Sequence, residues 1–143
     1  MTMEVMENEQ EITVAATTEQ IPVISDFIEG LMSLANFDLR KIMEVLLAAE
    51  EACTNVAKYA YTGKDGTIHI IARVSGDRLE LIIEDDGAPF DPTAHTVVLS
   101  QSDTKYCPIG GLGIHLIRSY VDGMSFEFRD GKNRLTLVKN RDK

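Results

Sequence analysis

With 143 residues, the chain has room for one domain with a substantial core and too little for two comfortable ones. Hydrophobic residues make up 44% and charged residues 26%, a soluble globular composition, and the formal net charge of -9 argues against a nucleic-acid-binding surface or an anchor on anionic membrane. A nucleotide ligand is compatible with that charge if a metal cation helps to neutralise its phosphates.

The two cysteines, Cys53 and Cys107, fit no zinc or disulfide framework. No apolar run is long enough to span a membrane. The acidic stretch 1–7 lacks the basic and apolar regions of a signal peptide, so the expected location is the cytoplasm, with reduced thiols.

In chain order, residues 1–10 read as a frayed start. Ile12, Val14 and Ala16 alternate onto one face and predict a first strand over 11–16. Residues 17–20 offer N-cap candidates. Ile21, Ile24, Ile28, Leu31 and Leu34 or Ala35 then follow at helical spacing, with Pro22 tolerable only near the helix start. Asp38 is the cap expected for a long helix from Leu39 to about Tyr61, with Leu39, Ile42, Leu46, Ala49, Cys53, Val56 and Ala60 as its apolar stripe. Residues 61–66 form a turn-rich stop. Two strands, 67–74 and 78–85, flank the hairpin chemistry of Ser75-Gly76-Asp77. Residues 86–109 carry three prolines and little periodicity, the mark of a functional or mobile loop. A third helix is expected over 113–121, followed by strands 125–129 and 133–139 around Asp130-Gly131-Lys132. The order β, α, α, β, β, loop, α, β, β predicts an α+β fold. It is a two-layer sandwich over 1–143, with a mixed, mostly antiparallel sheet and about three helices on one face.

Three stretches can carry chemistry. Gly110, Gly111 and Gly113 leave almost no side chain at a helix start, where exposed N–H groups and the helix dipole favour an anion; the same glycines also suit a tight turn. Asp85 ends a strand on the face of Leu81 and Ile83, where a carboxylate needs a partner. It reads either as an acceptor for an exocyclic amine or as the cap of its own turn. Glu51 and Asn55 share a helix face near the core's edge. They suit a Mg²⁺ site with a general base beside it, or they belong to a solvated face. Glu50 points about 100° away. Around a Mg–nucleotide the three stretches would converge, with the loop as a lid.

Glu51-Ala52-Cys53-Thr54-Asn55, the run Asp85 to Pro92, and Gly110-Gly111-Leu112-Gly113 resemble three ordered ATP-binding boxes. These are the boxes of the superfamily shared by DNA gyrase, histidine kinases and mismatch-repair ATPases, the Bergerat ATP-binding fold. The Pro-Phe-Asp-Pro run after the second box and the Gly-Gly-Leu-Gly-Ile form most resemble the bacterial anti-sigma-factor serine/threonine kinases. The resemblance covers nearly the whole chain.

It implies ATP and Mg²⁺ as cofactors. Asn55 would ligate the metal, Glu51 would act as general base or orient the attacking hydroxyl, and Asp85 would accept from the adenine amino group, with Gly87 allowing close approach of the base. Gly110, Gly111, Leu112 and Gly113 would contact the phosphates. Lys105 reads as a phosphate ligand or as a solvated loop lysine. The chain departs from the wider pattern at Pro89, where a second glycine is common, and at Pro108-Ile109, where some relatives carry arginine. The implied reaction transfers the γ-phosphoryl group to an anti-anti-sigma (STAS-type) protein, with a sigma factor as the second partner. Neither nucleic acid nor membrane is a direct partner, and a homodimer is expected from the family alone. The alternatives are a nucleotide-binding switch without catalysis and a detached histidine-kinase ATP domain. The latter is disfavoured because no helical pair bearing a phosphoacceptor histidine precedes the first strand.

Overall fold

The computed structural model describes residues 8–61, 64–89 and 112–142. Five strands, β1 (Asn8–Ala15), β2 (Thr67–Ser75), β3 (Arg78–Asp85), β4 (Gly123–Arg129) and β5 (Lys132–Asn140), form one sheet in the order β1-β2-β3-β5-β4. All four pairings are antiparallel, so the described sheet contains none of the parallel pairing that a mixed sheet would include. β1 starts earlier than periodicity suggests, because β2 is long enough to pair Asn8 with Val74. The β4–β5 turn places Asp130 and Gly131 at φ 57° and 77°. Two positive values between the paired Arg129 and Lys132 give the loop twist that a two-residue hairpin requires.

Helices α1 (Ile21–Leu34), α2 (Leu39–Asn55) and α3 (Leu112–Tyr120) cover one face. Ile24, Ile28 and Met32 of α1, Val45 and Ala49 of α2, and Ile117 of α3 share one core with Ile68, Ile70, Leu81, Ile83 and Leu137 of the sheet. Each fully buried large aliphatic side chain contributes roughly 1.5–3 kcal/mol, so this face holds the layers together. The other face carries ion pairs, such as Arg73 with Glu9 and Glu80, which contribute little individually, and a contact of the His69 ring with Glu11. Among the described residues no helix is long and apolar enough to cross a membrane.

Local chemistry explains the helix boundaries, with two departures from the sequence pattern. Asp38 caps α2 as expected, its Oδ1 accepting from the Lys41 N–H at 2.9 Å. The start of α1 instead grows out of a short 3-10 turn, Thr18–Gln20, with Gln20 at the N-cap and no side-chain cap bond. Leu39, expected in the apolar stripe, is 71% exposed. α2 packs between α1 and α3, so its buried arc is broad and centred on Val45, Ala48, Ala49 and Ala52, away from Leu39. Past Asn55 the helix widens into a π turn, Val56–Ala60.

The apolar face of β5 ends in Lys139, which is buried. Its Nζ donates to Glu44 Oε1 of α2 at 2.7 Å and to the Tyr120 carbonyl at the end of α3 at 2.5 Å. Lys139 holds the Glu44 carboxyl below its ordinary range. This part of the stabilisation is complete at neutral pH and is lost as pH falls through the depressed value. Lys139→Met should therefore cost about 1–2 kcal/mol at pH 7, and the deficit should shrink at about pH 3.5. Urea unfolding at both pH values measures this. An unchanged deficit would assign the effect to the Tyr120 carbonyl alone.

Candidate functional site

At the opposite end of the sheet the inner face closes on a carboxylate. Asp85 continues the row of Leu79, Leu81 and Ile83 and is 8% exposed. β5, inserted between β3 and β4, pairs Asp85 with Asn133, which is itself 5% exposed. Asn133 Nδ2 donates to Asp85 Oδ1 at 2.9 Å and to the Ala88 carbonyl at 2.8 Å. The Gly87 N–H donates to the same Oδ1 at 2.9 Å. Burial raises the Asp85 carboxyl above its ordinary value, Asn133 and Gly87 oppose that rise, and the Asp86 charge adds to it. Asp85 thus caps its own turn, with its buried carboxylate on the inner face of the sheet.

The turn after Asp85 is clamped to the end of α2. A Cβ on Gly87 would lie 2.2 Å from the Ala60 carbonyl oxygen, so only glycine fits at this approach. The Ala88 N–H bonds that same oxygen at 3.2 Å. The Tyr61 hydroxyl accepts from the Asp86 N–H at 3.0 Å. It lies 2.6 Å from the Thr67 carbonyl oxygen and 2.8 Å from Asp86 Oδ1, one of which takes its proton. Burial raises the Tyr61 phenol above its ordinary value. The π turn thus delivers Ala60 and Tyr61 to the end of β3.

Glu51 and Asn55, both half-buried, lie one above the other on the edge of α2 that also carries Glu44 and Ala48, by the 3.6-residue period. Glu44 meets Tyr120 of α3 through Lys139, and α3 packs against α2. A nine-residue helix spans about 13 Å and the rise from Glu44 to Asn55 about 16 Å. α3 therefore runs back along α2 with its N-terminal end, Leu112-Gly113, toward Asn55. Glu50 faces α1, where its Oε2 accepts from Ser25 Oγ at 3.0 Å.

The structure brings Asp85, Gly87, Glu51, Asn55 and the start of α3 to one end of the two layers. Leu112 and Gly113 are placed there as backbone. Lys105, Gly110, Gly111 and the rest of residues 90–111, where a lid is expected, lie outside the described residues. The carboxylate and amide oxygens of Glu51 and Asn55 are the hard donors that Mg²⁺ takes. Among the described residues no three His, Cys, Asp or Glu side chains cluster into a metal cage. Cys53 is fully buried and its thiol is pushed up to about 12, so it is packing rather than a nucleophile.

Sequence reading passed over Asn133 and Tyr61. Alternation along β5 places Asn133 on the face of Leu135 and Leu137, and a polar side chain there demands a partner; that signal was available. Nothing local points from Tyr61 to Asp86.

The family model described as "histidine kinase-like ATPase domain" matches residues 14–139. The chain is 33% identical over 132 residues to the serine/threonine-protein kinase BtrW of Bordetella bronchiseptica, covering 91% of each chain. It is 30% identical over 148 residues to the serine-protein kinase RsbW of Bacillus pumilus, covering 93% of this chain and 87% of the relative. Among solved structures it resembles the RsbU and RsbW domains of a Mycobacterium tuberculosis protein, with a TM-score of 0.68 at 15% identity, over 93% of this chain and 32% of that one. The last likeness is one of fold.

The Gly87 contact makes a direct prediction. Gly87→Ala should destabilise the protein by about 1–3 kcal/mol and accelerate hydrogen exchange at the Ala88 amide, because the added methyl pushes against backbone. Wild-type melting and exchange would show that the turn yields without cost.

Proposed function

The chain belongs to the histidine kinase-like ATPase domain family, its curated relatives include bacterial serine/threonine-protein kinases, and we propose that it transfers the γ-phosphoryl group of ATP to a serine or threonine of an anti-anti-sigma protein. The observation that carries this reading is the junction of the Asp85–Gly87 turn with the end of α2 through Ala60. It ties the turn that follows the Asp85 carboxylate to the end of the helix that carries Glu51 and Asn55.

In this reading Asp85 accepts from the adenine amino group, and Gly87 lets the base lie close to the backbone. Asn55 and the phosphate oxygens would hold Mg²⁺, which supplies charge neutralisation when bound. The start of α3, with Gly110, Gly111, Leu112 and Gly113, cradles the phosphates by backbone N–H groups and helix dipole, and we add Lys105 as a phosphate contact. Glu51 takes the proton of the acceptor hydroxyl as its oxygen bonds to the γ-phosphorus. The bond to the bridging oxygen breaks and ADP leaves. Such chemistry asks mainly for positioning and charge neutralisation, which suits a site with so few polar side chains.

The same proposal makes the protein a cytoplasmic anti-sigma factor. It would hold a sigma factor and a STAS-type antagonist in exchange and pair into a homodimer. One sequence feature favours a second reading, a nucleotide-dependent switch without transfer: Lys105 is the sole lysine or arginine in 90–109.

Incubation with γ-labelled ATP, Mg²⁺ and the anti-anti-sigma proteins of the source genome separates the two. Label on a serine or threonine supports the kinase. Saturable ATP binding without label supports the switch, and neither result rejects both. Glu51→Ala should bind ATP normally but slow transfer by at least about a hundredfold, whereas Asn55→Ala should lose Mg–ATP affinity. Native transfer by the first variant, or native affinity of the second, would remove that residue from its role.

Asp85→Asn reverses the group offered to the base. The amide oxygen can replace Oδ1, while its NH₂ presents a donor where the carboxylate had an acceptor. Removing a buried charge also relieves the desolvation that raises the Asp85 pKa. ATP affinity should fall about tenfold or more while the melting temperature at neutral pH holds or rises. A parallel loss of stability and affinity would mean that Asp85 is structural.

A further inference from the structure

The donors on Asp85 are unevenly distributed. Asn133 Nδ2 and the Gly87 N–H both end on Oδ1, each at 2.9 Å. A carboxylate oxygen offers about two lone-pair positions, so the protein's own donors fill Oδ1. The orientation of the Asn133 amide is compelled, because Nδ2 also donates to the Ala88 carbonyl at 2.8 Å and both acceptors demand the NH₂ side. Backbone pairing holds Asn133 directly opposite Asp85, and at 5% exposure its side chain has little room to swing away.

A carboxylate with both oxygens open matches guanine, whose ring N–H and exocyclic amine form an adjacent pair of donors. A carboxylate with one open oxygen matches adenine, which offers a single donor, its exocyclic amine, beside a ring acceptor. We infer that Asn133 is a specificity-determining residue: by occupying Oδ1 it leaves Asp85 one ligand-facing oxygen, Oδ2, and so selects adenine over guanine nucleotides. The inference rests on the nucleotide reading above and deepens it. Guanine placed on Oδ2 keeps one of its two donors unpaired, and turned over it sets its carbonyl oxygen against the carboxylate. Either arrangement weakens binding about tenfold to a hundredfold.

The test is calorimetric titration of the full chain with Mg²⁺ and either ADP or GDP. The wild type should prefer ADP by at least about tenfold. Asn133→Ala removes one of the two donors on Oδ1, so the ADP-to-GDP affinity ratio should collapse toward one, chiefly through a gain in GDP affinity. A structural defect alone would weaken both nucleotides and leave their ratio standing. If the alanine variant fails to fold, Asn133→Thr fits the strand, and its single hydroxyl cannot bridge both Asp85 and Ala88; the same ratio should narrow in that variant. Wild-type binding of ADP with an undiminished ratio in a folded variant overturns this inference and leaves the nucleotide reading intact. Failure of the wild type to bind either nucleotide overturns both.

Discussion

A carboxylate buried at the end of an apolar sheet face is the constraint around which this protein is built. Desolvation pushes Asp85 toward its neutral form, and an unpaired charge there would cost several kcal/mol. The chain answers with donors from two directions, the Asn133 amide across the sheet and the Gly87 N–H within the turn. Each answer has consequences elsewhere. Using Gly87 requires a close approach to Ala60, which requires the π turn that ends α2. Using Asn133 requires β5 to lie between β3 and β4.

The other end of the same face is closed by cations rather than an anion. Lys139 ties Glu44 of α2 to the end of α3. Beside it Lys41 Nζ donates to the carbonyls of Asn140 and Arg141 at 3.1 and 2.7 Å. These contacts set how far along the sheet α2 lies and which way α3 runs over it. The Glu51–Asn55 edge therefore points to the start of α3 because of bonds made a dozen residues earlier in the helix. Polar groups at both ends of an otherwise aliphatic layer also resist register slips, since sliding β5 by one residue would turn Asn133 and Lys139 out to solvent and strand Asp85.

The two layers divide the chemistry. In the proposed site the sheet would contribute recognition through Asp85, Gly87 and Asn133, held by strand pairing and a tight turn. The helices would contribute Glu51, Asn55 and the α3 start, held by helix packing. They are joined at the site end by short contacts of the Ala60 carbonyl and the Tyr61 hydroxyl. This arrangement suits a reaction that depends on positioning one group against another, because both halves are fixed by the body of the fold.

The residues by themselves determined most of the local architecture. Period-two alternation located β2, β3 and β5, Asp130-Gly131 located the hairpin, Asp38 located the α2 cap, and helical spacing placed Glu51 with Asn55. These features depend on neighbours within a few positions, which is the range over which backbone sterics and side-chain periodicity act. What only the tertiary structure decided depends on chain segments far apart. Asn133 meets Asp85 because β5 inserts beside β3, a choice no local pattern expresses. Leu39 faces solvent because α1 and α3 claim the other flanks of α2. Gly87 is confined by a carbonyl from a π turn about thirty residues upstream. A sequence can declare that a buried carboxylate needs a partner; which residue supplies it is settled by topology, because the energy of that bond is realised only after the strands have paired.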